Sequence, residues 1–218
     1  MVSYWTKEVI FMITQLSGRI SSFFVKQGII EAEDSEVYAY SFEIMISTLI
    51  SFFALLVISV LTGTVVFMLM YLVGFIPMRV VAGGFHAKTH FRCFVTLMIA
   101  YFAFLLLLTH IPADFHVHAI AFSMAVSIVS VFLIAPSEDA NKPITMDERK
   151  HFKKNSRIAI IIYTVVVCLL VLLLGDGRFA FSVALGNVTL AVSLLANFIK
   201  CKVGNRNLRE EYDFNETN

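Results

Sequence analysis

The first stretch of the chain places Trp5, Val9, Met12, Ile13, Leu16, Ile20, Phe23 and Phe24 at spacings of three and four. Lys7, Gln15, Ser17, Arg19, Ser22 and Lys26 fall largely on the rest of the wheel. This pattern predicts an amphipathic helix over 1–27 lying in the membrane interface, with a helix packed on the rest of the protein as the alternative. An acidic patch follows at Glu31, Glu33, Asp34 and Glu36. The pattern then changes to long apolar runs near 39–60, 64–82, 94–111, 118–135, 158–174 and 179–199. About 20 helical residues cross roughly 30 Å of hydrocarbon, so each run is long enough to span a bilayer. The expected fold is all-α: a polytopic membrane domain of six transmembrane or re-entrant helices over 37–200, an interfacial helix before it and a polar tail at 201–218. The weakest span is 64–82, because Pro77, Arg79 and the Gly83-Gly84 pair interrupt its end.

Composition sharpens that picture. Hydrophobic residues make up 58% of the chain, above the roughly 45–50% of soluble domains. No cleavable signal peptide is expected, since Lys7, Glu8 and the amphipathic pattern stand where a compact apolar run would be. The formal net charge of +1 conceals a sorting of cations along the chain. Of the 17 Lys and Arg, all but Arg178 fall in the N-terminal helix, the second connection, the fourth connection or the tail. By the positive-inside bias, both termini and the connection around 83–93 are expected in the cytoplasm. Three cysteines, Cys93, Cys168 and Cys201, form no CxxC pair and no disulfide framework.

The polar run from Arg79 to Cys93 lies between two expected spans and contains Gly83, Gly84, His86, Lys88, His90 and Arg92. A thiol attacks a carbonyl as the thiolate, and a neighbouring imidazole can take its proton. His86 and Cys93 are therefore a candidate base and nucleophile, with Lys88 and Arg92 placing positive charge beside them. In a continuous helix, residues seven apart share a face but stand about 10.5 Å apart along the axis. The dyad thus needs a bend, for which Gly83, Gly84 and Pro77 supply the backbone latitude, and irregular backbone at membrane depth must line protein or water. An unbroken helix would instead align His86, His90 and Cys93 as ligands that suit zinc, although no fourth ligand is evident and no metal or other cofactor is expected. His90 is an alternative base, and all three as ordinary interfacial residues is the bland reading. Glu43, near the cytoplasmic end of the first span, is a candidate partner for Arg79 or orienting acid for His86, as is Asp139 for the latter. The basic run with Lys142, Lys150, Lys153 and Lys154 serves topology and anionic lipid, or docks an acidic peptide segment.

Together, the Arg79…Gly84-Phe85-His86 run with Cys93 seven residues on, the Ala135-Pro136…Asn141-Lys142-Pro143 loop, the basic stretch after it and the hydrophobic chain resemble the accessory gene regulator B family. These are membrane endopeptidases that mature autoinducing-peptide precursors in quorum sensing. The resemblance implies Cys93 as nucleophile and His86 as its partner; beside it, the residues themselves suggest Gly84 as permitting the bend and Arg79 as ordering the loop or steadying developing negative charge. It also implies cleavage near the C-terminus of a short amphipathic precursor, an acyl-thioester on the cysteine, and ring closure by an internal Cys or Ser to a thiolactone or lactone. Its acidic-tailed precursors give Lys142, Lys150, Lys153 and Lys154 a partner. The partners expected are that peptide, the bilayer and a second copy in a homodimer, not nucleic acid. Competing readings are a non-enzymatic transporter or export partner, for which six spans and a basic loop suffice, and a zinc-dependent membrane hydrolase.

Overall fold

The computed structural model of the chain describes the backbone of residues 2–83, 90–137, 146–175 and 177–216. Among the described residues the regular structure is helical, with no strand. The helices are α1 (Val2–Lys26), α2 (Ser35–Leu61), α3 (Val65–Ala82), α4 (His90–His110), α5 (His116–Ile134), α6 (Met146–Leu174) and α7 (Gly177–Glu216). Six stretches are long and apolar enough to cross a bilayer: Ala32–Leu61, Val65–Ala82, Phe91–His110, Ala113–Ile134, Asp147–Leu174 and Gly177–Lys202. They coincide with the six apolar runs, and α1 precedes them. The chain is therefore an all-α, multi-pass membrane protein.

Contacts divide the chain into two compact units, Met1–Thr64 with Ala87–Phe102, and Val65–His86 with Ala103–Asn218. In the first unit α1 packs on α2. Its buried side is small and polar: Ser17 and Ser21 are fully buried, and the Ser21 hydroxyl donates to the Ser35 carbonyl at 2.7 Å. Phe24 extends that side one turn on and stacks against Phe42 with centroids 5.6 Å apart. Small residues let helix backbones approach closely in a bilayer, which is why serines rather than leucines occupy this seam. Phe11, Met12, Leu16 and Phe23 remain exposed. Ser17, grouped with the polar face on the wheel, thus belongs to the packed side, while these apolar side chains are left uncovered.

The second unit gathers α3, α5 and α6 around α7, the most deeply buried of the spans. α3 and α7 touch backbone to backbone. A Cβ on Gly186 would fall on the Tyr71 carbonyl oxygen, and one on Gly74 on that of Val183, so only glycine fits at the crossing. Beside it Tyr71 is fully buried, donates to the Thr189 hydroxyl at 3.0 Å and packs on Phe104 with centroids 4.6 Å apart. Where α5 and α7 begin, His116 is buried, stacks on Phe181 at 5.2 Å and has Nε2 3.0 Å from the Ile111 carbonyl. It is a hydrogen-bonded core histidine.

Pro77 does not break α3. The helix runs from Val65 through Pro77 to Ala82 and stops at Gly83, so of the interruptions expected there the proline does not end the span and the glycine does. Proline removes the N–H that would have bonded the carbonyl four residues back, here that of Val73. The Tyr163 hydroxyl on α6 donates to that carbonyl at 2.6 Å. A neighbouring helix thereby satisfies the freed backbone group, the general condition for a proline within a transmembrane helix.

Candidate active site

α3 ends where Gly83 adopts φ +76°, a left-handed conformation that side-chain-bearing residues rarely take. The Gly83 N–H still reaches back to the Arg79 carbonyl at 3.0 Å, which closes the last turn. Arg79 itself is half-buried, with its guanidinium 5.6 Å from the Phe75 ring centroid. The turn is then gripped from outside. α5 ends at Ile134, Ala135 is extended, and Ala135 and Pro136 are buried. Next the Ser137 N–H donates to the Ala82 carbonyl at 3.0 Å, and Gly83 and Ser137 form a single parallel bridge. A Cβ at position 83 would stand 2.5 Å from the Ser137 carbonyl oxygen. From α7, the buried Asn197 donates its side-chain amide to the Ser137 hydroxyl. Residues 83, 137 and 197 thus join into one clasp within the second unit.

Beyond the clasp, His86 lies three residues past Gly83 in sequence. His86, Gly84, Lys88, Asp139 and Lys142 lie outside the described residues, so the bend expected between His86 and Cys93 falls there too. Cys93 is described. It is a free, exposed thiol on the first turn of α4, which begins at His90, and it belongs to the first unit. Glu43 is half-buried on α2, in the same unit as Cys93, whereas Arg79 belongs to the other. Among the described residues no group of three or more His, Cys, Asp or Glu could hold a metal ion.

The basic run opens α6. Lys150, Lys153 and Lys154 are exposed, and Lys150 lies 3.4 Å from Asp147 with both side chains in solvent, a pair of little energetic weight. Arg157 departs from its neighbours. It donates to the Phe132 carbonyl at 3.2 Å and lies 4.9 Å above the Phe132 ring, so this cation serves the packing of α6 on α5.

Sequence reasoning singled out the loop with Ala135 and Pro136 but assigned no role to Ser137, and it passed over Asn197 altogether. A signal was present, because Asn197 is a side-chain amide amid the apolar residues of the last span. Buried polar groups in membranes either find partners or mark function.

The family model described as accessory gene regulator B matches residues 17–198. No curated protein and no solved structure matches the chain. With most of its length matched, the chain belongs to the accessory gene regulator B family, membrane proteins of autoinducer-peptide processing in quorum sensing.

Proposed function

We propose that this protein is a cysteine endopeptidase and peptide cyclase, in which the Cys93 sulfur attacks a peptide carbonyl of an autoinducer precursor. The thiol proton passes to His86 and on to the leaving amine of the C-terminal fragment, while the N-terminal part remains as a thioester on Cys93. An internal Cys or Ser of the peptide then attacks the thioester carbonyl and releases the Cys93 sulfur, closing a thiolactone or lactone. A thioester retains enough reactivity for this second step only where water is kept from it. The observation that carries the reading, beside family membership, is the placement of Cys93: a free, exposed thiol on the first turn of a span.

The remaining roles follow the same reading. Arg79 and Glu43 order the site. Lys150, Lys153 and Lys154, exposed at the start of α6, receive an acidic segment of the precursor together with Lys142. The sorting of cations sets both termini and Cys93 on the cytoplasmic side, where an amphipathic precursor lying on the membrane reaches the thiol at raised local concentration. The protein works as a homodimer in the cell membrane.

The test is reconstitution of purified protein in vesicles with the precursor peptide alone. Wild type is expected to release the C-terminal fragment and to carry a peptide adduct, seen by intact mass and cleaved by hydroxylamine. Cys93→Ala should do neither while reaching the same folded yield. Cleavage by the Cys93→Ala protein, or peptide transport without any adduct, defeats the assignment.

A further inference from the structure

We infer that Asn197 is a positioning residue for peptide processing: through Ser137 it holds the end of α3 from which the His86-bearing segment departs. The inference rests on the function proposed above and names a residue that reaction requires outside the polar run.

The placement of Asn197 is costly unless it is used. It is 4% exposed within the span Gly177–Lys202, where an amide without partners is strongly disfavoured. Its Nδ2 donates to the Ser137 hydroxyl. The Ser137 N–H in turn donates to the Ala82 carbonyl at 3.0 Å, and the Ser137 carbonyl sits so close to Gly83 that no Cβ fits between them. A continuous polar link therefore runs from α7 through the start of the α5–α6 connection to the last turn of α3. Three residues extend at most about 10 Å, so holding Gly83 limits how far from it the backbone of His86 can lie. The same link fixes the start of the connection that bears Lys142. One amide on α7 thus sets the departure point of two segments to which the proposed reaction assigns work. A displaced base costs rate without weakening substrate binding, which separates this role from a merely stabilising hydrogen bond.

The experiment compares wild type with Asn197→Ala, Ser137→Ala and the double variant, each reconstituted with precursor peptide, with cleavage rates normalised to folded protein. Each single variant should lose between about tenfold and a hundredfold in kcat, as misplacement of a reacting group does, with KM and peptide binding held. The double variant should fall no lower than the worse single variant, because one link is cut in all three. Single variants that keep kcat within about twofold of wild type, even if their melting temperature drops, overturn the inference. Losses confined to KM, or losses that multiply in the double variant, overturn it as well. The underlying assignment fails separately: a Cys93→Ala protein that still cleaves removes the thiol chemistry and this inference with it. An inactive Cys93→Ala protein beside a fully active Asn197→Ala protein sinks the inference alone.

Discussion

A tyrosine hydroxyl decides whether Pro77 is a defect or an ordinary helical residue. The Val73 carbonyl, left without its N–H by Pro77, accepts from Tyr163 at 2.6 Å, so removing that hydroxyl leaves a backbone acceptor unpaired in hydrocarbon. Tyr163→Phe should destabilise the protein by about 0.5–1.5 kcal/mol, the usual net worth of one hydrogen bond. Thermal unfolding in detergent measures this. In a Pro77→Ala background the restored backbone N–H can bond the Val73 carbonyl itself, so Tyr163→Phe should cost less there. Equal costs in the two backgrounds would refute this account. None of this was legible in the sequence, where Pro77 reads as a breaker because proline chemistry is local. Its remedy, the Tyr163 hydroxyl, lies 90 residues from Val73 along the chain. Cys93 could be singled out as a candidate for the opposite reason, since a lone thiol beside histidines and cations stands out within a few residues.

For the helices as elements, what matters is how near two backbones come. α3 and α7 meet at Gly74 and Gly186, with Tyr71 and Val183 carbonyls occupying the space a side chain would need. Gly186→Ala must push backbone aside, and overpacking of that kind costs about 1–3 kcal/mol or more. A lower melting temperature and a smaller folded yield are the expected readouts. Gly18 on α1 is the contrast, because nothing lies within 4 Å of where its Cβ would be. Gly18→Ala should leave stability unchanged or raise it by up to about 1 kcal/mol, the helical penalty of glycine. Equal effects at the two positions would mean that helix propensity, not the crossing, sets the requirement at Gly186. Hydrophobic periodicity located both helices but could not separate these glycines. Whether a glycine is indispensable depends on what stands opposite it.

Across the whole molecule, the sorting of cations makes a prediction about sidedness. With native Cys93 and Cys168 replaced by alanine, Cys201 should react with a membrane-impermeant maleimide only after cells are opened. A cysteine introduced by Leu61→Cys, at the end of α2 where Leu61 is 81% exposed, should react in intact cells. Reversed accessibility would invert the topology and place the basic run outside. The division into two units runs through α4, whose residues up to Phe102 belong to the first and from Ala103 to the second. No hydropathy window shows that boundary, because α4 is one uninterrupted apolar helix.

The sequence by itself determined the number of spans, the sorting of charge, the amphipathic start and the thiol on which the chemistry is proposed to turn. Partition into a bilayer and the reactivity of a sulfur atom depend on about 20 neighbouring residues or fewer, so they can be read along the chain. Only the tertiary structure decided that α3 passes through Pro77, that Ser17 and Ser21 form a seam, and that Asn197 and Ser137 grip the end of α3. In a span without water, each backbone group or buried amide must find its partner within the protein, and that partner can come from any helix that folding brings alongside.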